Sequence, residues 1–211
     1  QAMARAALQP ADIAAVRERL ASAATRLFAR HGYDAVTMRA VAAELDVSAM
    51  TPYRYLGGKD ELIALVRAQA FTRFAVALEA ATAPAREPIA RLHRLKAAYV
   101  GFAQAEPDAY RIMFELRPPG DDARWPELAA ATRRAFGCLL AAVTAAIDAG
   151  ALTGEPLTVA QLLWASTHGL CALHLSGNLP ARSLARLATV DHELAGFRPA
   201  ATAPARPRRR A

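Results

Sequence analysis

An all-helical chain is what this sequence predicts, and its 211 residues suffice for one compact unit or for a small domain joined to a larger one. Three observations carry that reading. Apolar residues make up 54% of the 211 residues and are mostly Ala and Leu, with few β-branched runs, a composition that favours packed helices over sheets. Apolar positions recur three and four residues apart, and no stretch shows the alternation of a half-buried strand. The periodic stretches are punctuated by "TAPAREP", Pro107, "RPPGDD", "GALTGEP" and "GNLPARS", each rich in Pro, Gly or Asp.

The first helix is expected from about Ala11 to Arg30, because Ile13, Val16, Leu20, Ala24, Leu27 and Phe28 fall on one face. Gly32 supplies the left-handed backbone that closes it. Thr37 is placed to cap a second helix whose apolar stripe is Met38, Val41, Ala42 and Leu45. Asp46-Val47 is a tight connection, and Ser48 caps a short third helix that ends at Gly57-Gly58. A fourth begins near Lys59, with Asp60 and Glu61 placed favourably against the helix dipole. It is expected over roughly 60–81, and further helices at roughly 87–105, 107–116, 125–149, 157–177 and 183–196.

Charge has to be located before it is interpreted. Residues 1–65 hold 8 basic and 7 acidic side chains, and residues 66–197 hold 13 and 12. The final 14 residues hold 5 basic and none acidic, so most of the net +7 sits in "RPAATAPARPRRRA". Bulk charge therefore says little about a nucleic-acid partner, and any such reading rests on arrangement.

Arrangement is informative between Thr37 and Lys59. Two helices joined by a tight turn have the order of a helix-turn-helix unit, whose second helix enters the major groove N-terminus first. That helix would start at Ser48 with Ala49, Met50 and Thr51, small or slender residues that let backbone approach base edges. Pro52 suits a first turn, where its missing N–H disrupts few bonds. Tyr53, Arg54 and Tyr55 bring hydroxyls and a guanidinium within reach of phosphates or bases, and Lys59 can meet a further phosphate. Tyr53 and Tyr55 cannot face the same way, and Tyr55 is expected to be the more buried. Thr37, as a cap, would also present its hydroxyl toward a phosphate.

The stretch "LFARHGYDAVTMRAVAAELDVSAMTPYRYLGGKDELI" lies within about 50 contiguous residues that resemble the N-terminal domain of TetR-type transcriptional regulators. That resemblance places Thr37, Arg39, Ser48, Thr51, Tyr53, Tyr55 and Lys59 at DNA-contacting or backbone-clamping positions. Leu56 departs from the Phe often found in the family, and Gly57-Gly58 leaves the loop short of side chains. Further on, "LLWASTHGLCALHLSGNLP", with Trp164, His168 and Gly169, resembles a WHG-type C-terminal domain of such regulators, and "YRIMFEL" from Tyr110 to Leu116 is typical of that group. The resemblance implies a helical body that dimerises and holds a small-molecule pocket.

The 157–177 segment offers two faces for those tasks. Ala165, Gly169, Ala172 and Ser176 form a small-residue stripe suited to a dimer seam, joined by the 183–196 helix. Trp164, His168 and Cys171 lie on the adjacent face, and with Phe102, Tyr110 and Phe114 they are the candidate pocket residues. All of these are first of all core side chains. A two-fold dimer would set two reading heads about 34 Å apart on a palindromic DNA operator. His168, Cys171 and His174 are spread over nearly two helical turns, too far apart to close on one zinc, so neither metal nor cofactor is expected.

The expected layout is a flexible N-terminus at 1–10, a DNA-binding domain at 11–66, a ligand-binding and dimerisation domain at 67–197, and a disordered basic tail at 198–211. Two cysteines in apolar surroundings, Cys138 and Cys171, and an N-terminus without a signal-peptide core suggest a reduced, cytoplasmic protein. Pro156 to Ala181 lacks Asp, Glu, Lys and Arg, but its polar residues favour a buried helix over a membrane span. The expected function is a ligand-responsive repressor rather than an enzyme. Two alternatives stay open, an effector-independent DNA binder and an enzyme with an attached helix-turn-helix. No nucleophile–base set, phosphate loop or metal cluster speaks for the latter.

Overall fold

The computed structural model describes residues 10–83, 87–116 and 124–188. The two predicted unstructured ends, apart from Pro10, and the last part of the 183–196 helix lie outside the described residues. Within them the secondary structure is eight α-helices and no strand. The helices are α1 (Pro10–Ala35), α2 (Met38–Glu44), α3 (Lys59–Thr82), α4 (Pro88–Ala105), α5 (Pro107–Glu115), α6 (Pro126–Asp148), α7 (Pro156–Leu175) and α8 (Ala181–Ala188).

Several boundaries follow from single residues. Thr37 caps α2, its hydroxyl accepting the Ala40 amide at 3.1 Å. Proline occupies the first position of α4, α5, α6 and α7, where its lost N–H costs no intrahelical bond. Glu155 caps α7 by accepting the amides of Leu157 and Thr158. Gly32 breaks α1 before its end, with φ 73° and ψ −179°, a region essentially closed to other residues.

The third helix expected from Ser48 does not form as an α-helix. A turn over Ala49–Thr51 leads into a 3-10 helix at Pro52–Arg54, and Ser48 accepts the Met50 amide at a long 3.4 Å rather than capping a regular first turn. The reason is length. Only five residues separate Thr51 from Gly57. Pro52 contributes no donor, and a segment that short does not recover the cost of helix nucleation.

The described residues fall into two compact units. One comprises the chain to Val76 together with Phe102–Ala135, and the other comprises Ala77–Gly101 and the chain from Phe136 onward. The first unit is centred on Leu20, Leu27, Phe28, Val36, Val41, Leu56, Leu62, Ile63, Val66 and Ile112, all buried. Burial of each such side chain contributes about 1.5–3 kcal/mol before entropy is counted. Arg26 and Arg30 of α1 both bind the Glu44 carboxylate of α2, fixing the first two helices to each other. In the second unit Leu92, Leu95, Val143, Val159, Leu163 and Leu184 are buried. Helix α6 is long and apolar enough to cross a membrane by length and composition alone, a test that core helices also pass.

Candidate nucleic-acid interface

The segment from Ser48 to Tyr55 is anchored from below and open above. Pro52 and Leu56 are buried, and Leu56 belongs to the core of the first unit. The Thr51 amide bonds the Ser48 carbonyl at 2.8 Å, and the Leu56 amide bonds the Pro52 carbonyl at 3.0 Å. Between these anchors Ser48, Ala49, Met50, Tyr53 and Arg54 are exposed, and Tyr53 retains 52% of its surface. Tyr55 is half-buried and packs against the core. Tyr53 is therefore the one presented to solvent, and Tyr55 the one packed on the core.

Thr37 and Arg39, at the start of α2, are also exposed. The Thr37 oxygen accepts from Ala40 and keeps its own proton to donate. Among the described residues, no ion pair engages Arg39 or Arg54. Lys59 begins α3, half-buried, one residue after Gly58. Exposed hydroxyls and guanidinium groups on this first-unit surface are the side chains that position a protein on phosphates and read base edges.

Arg17 of α1 is a structural part of this region that the helical periodicity does not reveal. Its guanidinium donates to the Tyr55 carbonyl at 3.0 Å and to the Glu61 carboxylate at 2.8 Å. Glu61 in turn accepts the Gly57 amide at 2.7 Å. The Arg17–Glu61 pair thus closes the end of the Ser48–Tyr55 segment against α1 and α3. Partial burial pushes the Glu61 carboxyl up, but the Gly57 amide and the Arg17 guanidinium outweigh it and hold it below the usual range. Arg17 also lies 3.9 Å from Glu127 at the start of α6. An open cleft of about 450 Å³ runs beside this cluster, bordered by Arg17, Glu61, Trp125 and Glu127. The only hint in the sequence is that Arg17 adjoins Val16 on the buried stripe of α1.

Comparison with known proteins bears on the same regions. The family model for bacterial regulatory proteins of the tetR family matches residues 20–66, and the tetracyclin repressor-like C-terminal domain matches residues 92–197. The chain belongs to the TetR family of transcriptional regulators. An uncharacterised helix-turn-helix transcriptional regulator of Mycobacterium tuberculosis is 28% identical over 162 residues, 76% of this chain and 71% of that protein. The transcriptional repressor KstR of Rhodococcus jostii is 33% identical over 91 residues, 43% of this chain and 42% of KstR. A protein of unknown function from Rhodococcus sp. RHA1 shares the fold with a TM-score of 0.73 at 24% identity, over 85% of this chain and 93% of its own. The fatty acid degradation regulator FadR of Bacillus halodurans shares it with a TM-score of 0.70 at 14% identity, over 90% and 96%.

In this TetR-family regulator the candidate pocket residues divide between the two units. Phe102, Tyr110 and Phe114 lie in the first, where Phe102 packs on Phe74, and Phe114 contacts both Tyr110 and Phe71. Trp164, His168 and Cys171 lie in the second. There Cys171 is buried, while Trp164 is 39% exposed and contacts Phe136 and His168. Burial lowers the pKa of His168, keeping the ring neutral at neutral pH, and its Nδ1 lies 3.3 Å from the Tyr99 hydroxyl. His174 pairs instead with the Leu179 carbonyl. On the adjacent face of α7, Ala165, Ala172 and Ser176 are exposed and Gly169 is half-buried. Leu162 and Leu173 extend that surface, 51% and 48% exposed.

Proposed function

We propose that this chain is a homodimeric repressor that grips a palindromic operator through residues 11–66 and is released when a small molecule binds within residues 67–197. It would act in the cytoplasm on chromosomal DNA. The observation that carries the reading is the Ser48–Tyr55 segment, rooted by Pro52 and Leu56 while Met50, Tyr53 and Arg54 project outward. Repression is favoured by the likeness to KstR, itself a transcriptional repressor. Dimerisation is supported by the exposed apolar surface of α7, since contiguous apolar surface on a folded chain marks an interface. A two-fold pair of reading heads then demands two inverted half-sites.

Release follows from linkage. An effector weakens operator binding only if it binds the DNA-free conformation more tightly than the DNA-bound one. Purified protein used to capture sheared genomic DNA should enrich a small set of intergenic fragments sharing one inverted repeat. Fluorescence anisotropy on that repeat, titrated with a panel of apolar small molecules, should then find at least one that dissociates the complex. Capture of DNA without a shared sequence would remove the operator reading, and a panel without effect would remove the effector half.

A further inference from the structure

We propose that Met50 reads a thymine, its thioether side chain packing on the C5-methyl group in the major groove of each half-site. The inference rests on the operator reading above and names the base class that the exposed tip recognises. Met50 is 66% exposed, the most exposed large apolar side chain among the described residues. Left in water, it forfeits the burial that normally stabilises a methionine. Its neighbours in the chain are anchored. The Thr51 amide bonds the Ser48 carbonyl at 2.8 Å, the Ser48 hydroxyl accepts the Met50 amide at a longer 3.4 Å, and buried Pro52 roots the following turn.

The chemistry around Met50 narrows its partner. Residues 36–59 contain neither Asn nor Gln, the side chains that pair bidentately with adenine. Glu44, an acceptor of the type that pairs with cytosine, is taken by Arg26 and Arg30. What remains exposed at the tip is Ala49 and Met50 between the hydroxyls of Ser48 and Thr51, with Asp46 in the preceding turn and Arg39 and Arg54 able to reach guanines. The thymine methyl is the one apolar group that a base pair displays in the major groove. With no Asn or Gln to pair bidentately with adenine, an apolar tip can recognise an A·T pair directly through that methyl.

The test uses full-length protein and the duplex it selects from a random pool. Each thymine in turn is replaced by deoxyuridine, in both half-sites, which removes only the methyl and keeps every base-pair hydrogen bond. One position should lose about fourfold per half-site, roughly fifteenfold for the pair, the equivalent of one buried methyl group on each side. Met50→Ala should abolish the difference between thymine and deoxyuridine at that position, and Met50→Leu should retain it. The proposal is overturned if no thymine position responds, or if the loss persists undiminished in Met50→Ala, which would trace it to DNA shape. A protein that selects no sequence at all removes the operator reading and this inference with it.

Discussion

Tyr53 and Tyr55 show how an offset of two residues divides two roles. Tyr55 is held against the core and Tyr53 is left in solvent, as expected of two side chains that cannot face the same way on a short turn. If Tyr53 donates its hydroxyl to a phosphate, Tyr53→Ala weakens binding to every duplex by a similar factor, measurable by anisotropy on operator and scrambled DNA. A loss confined to certain sequences would make it a base reader. Lys59 is testable through salt. Lys59→Gln should flatten the dependence of log affinity on log salt concentration by about 0.9 for each phosphate that the lysine neutralises. The pairing of Arg17 with Glu61 is not legible in the sequence, because 44 residues separate them and only the folded chain brings them together. Their pH dependence has a definite sign. The Glu61 carboxyl is held below its ordinary value of 4.5, so its contribution to stability is complete above that pH and is lost as pH falls through the lowered value. Thermal melts between about pH 6 and pH 3 should therefore show a steeper acid loss for wild type than for Glu61→Gln.

The bounds of α3 through α7 are readable to within a residue or two, because Pro, Gly or Asp punctuates the breaks between them. The Ser48–Tyr55 segment is not. A stretch between Ser48 and Gly57 is too short for periodicity to settle its geometry, and Pro52 with its missing donor tips it to a turn and a 3-10 helix. Helix α7 is only half legible. Spacing separates its small-residue stripe from the Trp164 face, but spacing does not tell that Trp164 is itself exposed. The stripe allows a clean test. A Cβ built on Gly169 meets nothing within 4 Å, so Gly169→Leu adds bulk without a clash at that first carbon inside the protomer. If the stripe is the seam between copies, sedimentation of Gly169→Leu should show a shift from dimer to monomer with helicity unchanged. An intact dimer would move the seam elsewhere.

At the scale of the whole molecule, the proposed repressor works only if reading and ligand binding are linked. Linkage is reciprocal, so an effector that lowers operator affinity about a hundredfold must itself bind about a hundredfold more weakly to the DNA-bound protein. Everything at this scale depends on the exposed Ser48–Tyr55 segment being the part that enters duplex DNA. Selection of bound sequences from random duplexes, by the full-length protein and by its Tyr53→Ala variant, examines that most directly. Wild type should enrich one inverted repeat with half-site centres about 10 base pairs, or a multiple of that, apart. The Tyr53→Ala variant should recover the same repeat at lower yield. A wild-type pool that emerges without any preferred sequence would contradict a role for this segment in reading DNA.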